Sequence, residues 1–171
     1  MFDSQSFINI LKNKNYNLNI HYHKPLFTVE DSNKLRGNIE GAHSKNLFLK
    51  NKKNDFFLIS TNENDKIDLK KISKKLGLGN ISFAKEEHLS KYLGVRPGSV
   101  SPFSLLNDTY NSVIFYLEKK LYDSELLNFH PLINNMTITI NTNNFIEFMI
   151  ENNKKIHIFS STTGEVYKTY E

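Results

Sequence analysis

The chain has 171 residues, of which 39% are hydrophobic and 23% are charged, and its net charge at pH 7 is +4. This length and balance favour one globular domain over a disordered chain. The sequence has no cysteine, which excludes disulfides, thiolate zinc sites and a cysteine nucleophile together. The excess of positive charge permits attraction to a polyanion such as RNA without establishing it.

The start of the chain gives no sign of export or of a membrane anchor. Polar residues interrupt the apolar ones throughout residues 1–11, which is unlike a signal peptide. Nowhere do 18 apolar residues follow one another, so no membrane span is expected. We therefore expect a soluble, cytoplasmic protein.

The first elements in chain order are a helix, a strand and a second helix. Asp3 or Ser4 can cap the first helix, which has apolar residues on one side. Apolar and polar residues alternate over residues 18–22, which predicts a half-buried strand. The second helix is predicted to begin near Thr28 and to end at Gly37.

The middle of the chain predicts a hairpin and a basic helix. Its strands are Asn46–Lys50 and Phe56–Ser60, joined by a polar turn. The continuous apolar run Phe56–Ile59 predicts a strand that is covered on both faces. The amphipathic segment Ile67–Leu76 predicts a helix closed by Gly77.

The remaining elements complete a mixed α/β pattern. They are a short helix within 82–93, strands at 113–117 and 136–140, a helix capped by Asn141 or Thr142, and a final edge strand at 156–159. Strands that come both in pairs and singly between helices favour a mixed sheet with flanking helices. No long linker divides the chain, so residues 1–171 are expected to form a single domain. No glycine-rich dinucleotide or phosphate-binding loop motif is present, and no cofactor is expected.

Three histidines were considered as metal ligands. His21 and His23 are alternate residues of one predicted strand, so they face the same side, and His43 is a third candidate. The alternative is that they are ordinary polar residues at strand ends. Because no carboxylate pattern completes a zinc motif, no metal is expected.

A covalent hydrolytic mechanism has little support in the sequence. The chain has no Gly-x-Ser-x-Gly elbow. Ser101 lies in a plausible loop, but nothing in the sequence pairs it with His130.

Three other positions are individually weak candidates for chemistry. Lys45 begins an apolar strand and could hold a phosphate at the mouth of a pocket, or could be a solvated charge at a strand end. The loop at Gly98 could offer backbone N–H groups to an oxyanion, or could simply be a tight connection. His130 precedes a proline and could line a pocket or be a hydrogen-bonded core residue.

Several segments taken together, in order, resemble the YbaK/ProX editing superfamily, over roughly Ile20 to Phe148. The segments are Gly41–Lys50, Ile67–Lys71, Leu93–Phe103, Leu106–Thr109 and Asn128–Leu132. Related branches carry a histidine after the loop proline, where this chain has Phe103. This difference agrees with the prolyl-tRNA editing, or ProX-type, branch.

The resemblance implies the YbaK-type fold, a compact mixed α/β domain around a twisted, partly closed sheet. It also implies an aminoacyl-tRNA deacylase that removes alanine wrongly attached to proline tRNA. Such an enzyme uses water and a ribose hydroxyl of the substrate, without a protein nucleophile or a metal. A synthetase pocket shaped for proline cannot strongly reject a smaller residue, because a missing methylene changes the binding free energy by only about 1–3 kcal/mol. A second site that admits alanine and excludes proline then supplies the remaining discrimination.

The resemblance also assigns residues to roles. Lys45 matches a lysine expected to engage the phosphate or terminal adenosine of the tRNA, and Asn46 matches its polar neighbour near the ester. Gly98 to Pro102 match the loop whose backbone would polarise the ester carbonyl, and His130 matches a histidine of the aminoacyl pocket. Ile20 and His43 are expected to help set the size of the pocket. Within the loop, the residues expected to bind substrate are Ser99, Val100, Ser101 and Pro102.

Alternatives remain open at this point. The amino acid removed could be cysteine or serine rather than alanine. The chain could instead be a noncatalytic tRNA-binding module that assists a synthetase, which would need its basic surface but not Asn46 or His130. Proline tRNA is the expected partner, prolyl-tRNA synthetase is a further candidate partner, and a monomer is expected.

Overall fold

Nine strands and six helices alternate irregularly in the computed structural model, which describes residues 1–171. The strands are β1 (Leu18–Tyr22), β2 (Ala42–Asn51), β3 (Phe56–Asn62), β4 (Ile81–Phe83), β5 (Val113–Glu118), β6 (Leu126–Phe129), β7 (Met136–Asn141), β8 (Ile156–Phe159) and β9 (Val166–Tyr170). The helices are α1 (Ser4–Lys12), α2 (Val29–Leu35), α3 (Leu69–Leu76), α4 (Glu86–His88), α5 (Lys119–Tyr122) and α6 (Thr142–Glu151). A π-helical turn at Leu89–Leu93 follows α4, and a 3₁₀ helix spans Pro102–Asn107.

All nine strands belong to one mixed sheet. Its order is β1-β7-β6-β2-β3-β5-β8-β9, and β4 pairs with the last residues of β2. The pairs β2–β6, β3–β5 and β5–β8 are parallel, and the other pairs are antiparallel. The predicted mixed sheet with flanking helices is therefore confirmed.

Strand β3 is buried on both faces, as its continuous apolar run predicted. Phe56 and Leu58 belong to the larger hydrophobic core, whereas Phe57 and Ile59 belong to a smaller one. Because successive side chains of a strand point to opposite faces, one strand supplies both cores. The larger core includes residues of α1, α6 and the 3₁₀ helix, and the smaller core lies under α3.

The helix boundaries follow the polar residues that can cap them. Asp3, Thr28, Asp68 and Asn141 are the N-caps of α1, α2, α3 and α6, and each side chain accepts a hydrogen bond from a backbone N–H of the first turn. Gly77 ends α3 with φ of 67°, a left-handed conformation that favours glycine. These ends were predicted from the sequence to within about two residues.

The prediction of residues 156–159 as a final edge strand was wrong. Strand β8 lies between β5 and β9, and β9 forms the edge. A turn after β8 reverses the chain, where Ser160 N–H donates to the Glu165 carbonyl and Gly164 has φ of 76°. The last residues can therefore add an antiparallel strand that the sequence analysis did not anticipate.

Two further strands were not predicted. Strand β6 has only four residues and lies between β2 and β7. Its short apolar run gives no periodicity that separates a strand from a helix. Strand β4 has three residues and lies at the start of the segment in which only a helix was expected.

No helix of the structure combines the length and the apolar character needed to cross a lipid bilayer.

Replacing Phe103 by alanine is expected to destabilise the fold by about 3–5 kcal/mol, because a large buried ring leaves a cavity. Its side chain is 0% exposed, and its ring centroid lies 4.7 Å from that of Phe7 and 5.6 Å from that of Phe129. Urea unfolding measures the loss. Tyr110→Ala is the control, since Tyr110 is 91% exposed and its loss should change stability by less than about 0.5 kcal/mol. Equal stability of the two variants would contradict this account of the core.

Candidate functional site

A cavity of about 210 Å³ opens where several elements end close together. The first half of β2, the residue after β3, the loop before the 3₁₀ helix, and the residue after β6 all contribute to its wall. The remaining wall is α2 with the three residues before it. Larger grooves of about 440 and 540 Å³ lie elsewhere, but none of the residues assigned to catalysis or substrate binding lines them.

Five of the residues singled out from the sequence line this cavity together. They are Lys45, Asn46, Gly98, Val100 and His130. His43 lines an adjoining space of about 30 Å³, whose wall also includes Asn46 and His130. Positions up to 85 residues apart in the sequence are therefore brought to one place.

Three other expected residues, all from the same loop, are not in the cavity wall. Ser99, Ser101 and Pro102 are buried behind the loop, and Ser101 and Pro102 lead into the 3₁₀ helix. The carbonyl of Ser101 accepts hydrogen bonds from the backbone N–H and the hydroxyl of Ser104. These contacts give Ser101 a structural role at the start of the 3₁₀ helix.

The expected placement of Ile20 at the pocket wall needs correction. Ile20 pairs with Ile138 in the sheet, and its side chain packs against the larger hydrophobic core. Because successive side chains of β1 point to opposite faces of the sheet, His21 lies on the face opposite to Ile20, where it contacts Thr139. A role for Ile20 in pocket size remains a prediction that this geometry does not support.

Lys45 is held at the cavity by the chain that follows β3. Its Nζ donates a hydrogen bond to the carbonyl oxygen of Asp65. Burial lowers the pKa of Lys45 below its ordinary value, and the nearby Asp65 carboxylate partly opposes that shift. An ammonium group has three N–H donors, so two remain for a ligand.

The side-chain amide of Asn46 is fixed by two serines. Ser60 Oγ donates to Asn46 Oδ1 over 2.6 Å, and Asn46 Nδ2 donates to Ser44 Oγ over 3.3 Å. Ser60 is the residue opposite Asn46 in the β2–β3 pairing. The strand register therefore sets the orientation of the amide.

His130 presents one free ring nitrogen. Its Nδ1 lies 2.8 Å from the carbonyl oxygen of Met136 and therefore donates to it. Burial lowers the pKa of His130, an effect that the hydrogen bond to Met136 opposes and the nearby His23 strengthens. A neutral ring with Nδ1 protonated leaves Nε2 as a hydrogen-bond acceptor.

His43 is oriented in a different way. Its Nε2 donates to the carbonyl oxygen of Ile39 over 2.9 Å, and burial lowers its pKa below the ordinary value. Asn128 lies beside it and donates to the carbonyl oxygen of Glu40. His43 thus supports the chain that enters β2.

The loop at Gly98 has the conformation that a close approach to backbone requires. Gly98 has φ of 85°, and an added Cβ would lie 3.4 Å from the carbonyl oxygen of Leu26 and from Nδ2 of Asn134. A non-glycine residue would therefore be strained there. The backbone N–H groups of Gly98 and Val100 donate no hydrogen bond within the protein, so both are available to a ligand.

An ion pair that was not predicted from the sequence holds α2 beside the cavity. Arg36 binds Glu63 with both guanidinium arms, at 2.6 and 2.7 Å, and also donates to Ser32 Oγ. The two charged side chains are only 12% and 5% exposed. They are separated by 27 positions, and no local pattern in the sequence links them.

No group of three or more His, Cys, Asp or Glu side chains is placed to hold a metal ion. His21 and His23 instead contact the hydroxyls of Thr139 and Thr137.

Comparison with known proteins identifies the family. The sequence profile of the aminoacyl-tRNA editing domain matches residues 23–148. The chain therefore belongs to the aminoacyl-tRNA editing domain family, and its enzyme class is that of an aminoacyl-tRNA deacylase, a hydrolase of carboxylic esters.

Individual relatives agree with this family. The prolyl-tRNA editing protein ProX of Acetoanaerobium sticklandii is 36% identical over 121 residues, which cover 69% of this chain and 73% of the relative. The prolyl-tRNA synthetase associated domain-containing protein 1 of Danio rerio is 33% identical over 143 residues, covering 82% of this chain and 78% of the relative. A crystal structure of a candidate trans-editing enzyme for prolyl-tRNA synthetase superimposes with a TM-score of 0.62 at 15% identity, over 91% of this chain and 96% of that one.

Acidification is expected to destabilise the protein as the pH falls below about 6.5, the ordinary pKa of histidine. The pKa values of His43 and His130 are lowered by burial, so the unfolded chain takes up protons before the folded one does. Their contribution to stability is therefore full above about pH 6.5 and is lost as the pH falls through the lower folded values. Urea unfolding at several pH values measures this loss, and His130→Gln should make it smaller. An unchanged pH dependence in that variant would contradict the assignment.

Proposed function

We propose that this protein is a trans-editing hydrolase that removes alanine from mischarged proline tRNA in the cytoplasm. The observation that carries the proposal is the convergence of Lys45, Asn46, Gly98 and His130 on one cavity. By sequence resemblance, the same four residues correspond to the positions expected to be catalytic in the ProX-type branch. The relative named a prolyl-tRNA editing protein, at 36% identity, supports proline tRNA as the tRNA that is edited.

The reaction requires only water as a second reactant. Water adds to the carbonyl carbon of the alanyl ester, and the bond between that carbon and the ribose oxygen then breaks. The hydroxyl of water ends on alanine, and its proton reaches the departing ribose oxygen through the neighbouring ribose hydroxyl. The products are free alanine and uncharged tRNA, with no covalent bond to the protein.

Lys45 and the Gly98 loop would bind and stabilise negative charge on the substrate. The ammonium group of Lys45, with two donors left beyond Asp65, suits a phosphate of the terminal nucleotide. The unpaired N–H groups of Gly98 and Val100 suit the negative charge that develops on the ester oxygen. Because these donors belong to a loop whose conformation is already set at Gly98, they are expected to need little rearrangement during the reaction.

His130 and Asn46 would position the substrate. The free Nε2 of His130 can accept a hydrogen bond from the α-ammonium group of the amino acid. The amide of Asn46, oriented by Ser60, lies on the same wall and can bind the ester or the ribose. Neither residue has to donate electrons to carbon, which agrees with the absence of a nucleophilic triad.

The small volume of the cavity agrees with a small amino acid as the group that is removed. A space of about 210 Å³ is below the range of about 300–1,000 Å³ that is typical of ligand pockets. Such a site can exclude a larger residue by steric clash, which complements a synthetase pocket that fails to reject a smaller one. The protein would act as a monomer on tRNA released by prolyl-tRNA synthetase.

The amino acid removed is tested by following ester loss from Ala-, Pro-, Cys- and Ser-charged proline tRNA without added metal. We expect fast loss from Ala alone, because the proposed second sieve has to admit a methyl side chain and to exclude the proline ring. Loss from Cys or Ser instead would keep the enzyme class and refute alanine as the substrate. Binding of tRNA without loss of any ester would favour the accessory tRNA-binding module.

Lys45→Ala is expected to reduce kcat/KM for the charged tRNA by at least about 10²-fold, since it removes the cation that positions the acceptor end. Circular dichroism and urea unfolding should show an intact fold. Lys50→Ala is the matched control on the same strand, because Lys50 lies outside the cavity and its side chain donates a hydrogen bond to Asn54. A Lys45→Ala protein with the rate of the Lys50→Ala protein would refute the role of Lys45.

A further inference from the structure

The positive charge of the protein is concentrated in one part of the chain. Residues 45–75 contain nine lysines and four acidic residues, a net charge of +5, whereas the whole chain has +4. The rest of the protein therefore has a net charge of −1. An imbalance of this kind produces a local positive field rather than a generally basic surface.

Helix α3 carries most of this excess on one side. Leu69, Ile72 and Leu76 face inward and pack with the smaller hydrophobic core. Four exposed cations are Lys66 just before the helix and Lys70, Lys71 and Lys74 within it, and we call these four the α3 lysine face. Lys75 is also exposed, but its Nζ donates a hydrogen bond to the carbonyl oxygen of Thr162. None of the four takes part in an ion pair or donates a side-chain hydrogen bond within the protein. Their charges are therefore available to a partner.

The α3 lysine face is connected directly to the candidate active site. Asp65 accepts the hydrogen bond from Lys45 through its carbonyl oxygen, and Lys66 is the next residue. Two residues later Asp68 caps α3. The same short segment thus fixes the lysine of the cavity and starts the basic helix, so the two positive regions are neighbours.

The chemistry of this face suits a phosphate backbone. A lysine ammonium is a flexible point charge that binds phosphate without reading a base, and such contacts fix the position and register of a nucleic acid. Eight residues of helix extend over about 12 Å, enough for several backbone phosphates of one strand.

A membrane surface fits this face less well. An interfacial helix buries large apolar side chains among lipid headgroups. No exposed large hydrophobic residue lies between Asn62 and Gly77, and the apolar side of α3 is already packed in the core.

We infer that the α3 lysine face binds the phosphate backbone of the acceptor stem of the tRNA whose charged end enters the cavity. This inference rests on the proposed function for the identity of the RNA. It adds a second contact region, beyond the cavity, that gives affinity for the stem without selecting the amino acid.

The test compares Lys70→Gln/Lys74→Gln with Lys12→Gln/Lys91→Gln. Both double variants remove two exposed charges that lie outside any ion pair, but only the first pair is on the α3 lysine face. Binding of uncharged proline tRNA is measured over a range of salt concentrations, and deacylation of the alanyl-tRNA is measured beside it. A further substrate is the alanyl ester of the trinucleotide CCA, which has no stem.

We expect Lys70→Gln/Lys74→Gln to weaken tRNA binding and raise KM on the order of tenfold at 0.1 M salt, with kcat unchanged. The slope of log affinity against log salt concentration should fall by about 1.5–2, since each phosphate contact contributes about 0.9. Hydrolysis of the trinucleotide ester should keep the wild-type rate, and the control variant should behave as wild type throughout.

Equal salt slopes for the two double variants would overturn the inference, as would a loss of trinucleotide hydrolysis in the α3 variant. Sedimentation with phosphatidylserine vesicles that depended on Lys70 and Lys74, with tRNA binding unchanged, would overturn it in favour of a membrane. If the wild-type protein bound tRNA but hydrolysed no charged form, the proposed function would fail. The salt slopes would then still decide the inference, because they are measured on uncharged tRNA.

Discussion

Both hydrophobic cores of this protein depend on strand β3, which is buried on its two faces. Phe56 and Leu58 pack into one core, and Phe57 and Ile59 into the other. A strand held from two sides has little freedom to move, because protein cores are close-packed. The residues at and just after its end are therefore also restricted in their motion. Ser60 then fixes the amide of Asn46, and Glu63 fixes Arg36 beside the cavity.

Helix α2 shows why such an anchor is needed. It forms part of the cavity wall, yet none of its residues is buried. With little apolar surface to pack, it is held by polar contacts, of which the Arg36–Glu63 pair is the most buried. Removing one partner of a buried pair typically costs about 3–5 kcal/mol, because the other charge is left without compensation. The position of α2 in the wall of the candidate site thus depends strongly on its electrostatic contact with Glu63, the residue that follows the central strand.

The sequence predicted elements well where local chemistry decides them. Helix starts at Asp3, Thr28 and Asn141 were found because a capping side chain acts within its own turn. The candidate site was less complete. Lys45, Gly98 and His130 were weak candidates by themselves and, with Asn46, were assigned roles through a family resemblance. Glu63 was missed, and Ile20 was expected at a wall that it does not reach. The partners of Glu63 are set by packing across the sheet, which leaves no periodic signal.

By itself the sequence determined which segments are apolar, where most helices are capped, and that a conformation suited to glycine occurs at the loop of Gly98. These properties depend on a residue and its near neighbours along the chain. Only the tertiary structure decided that β9 rather than β8 forms the edge of the sheet, and that β6 lies between β2 and β7. It also decided that His130 donates to the Met136 carbonyl and leaves Nε2 free. Strand order and hydrogen-bond partners depend on contacts between distant segments, and these form only when both faces of the sheet are buried together.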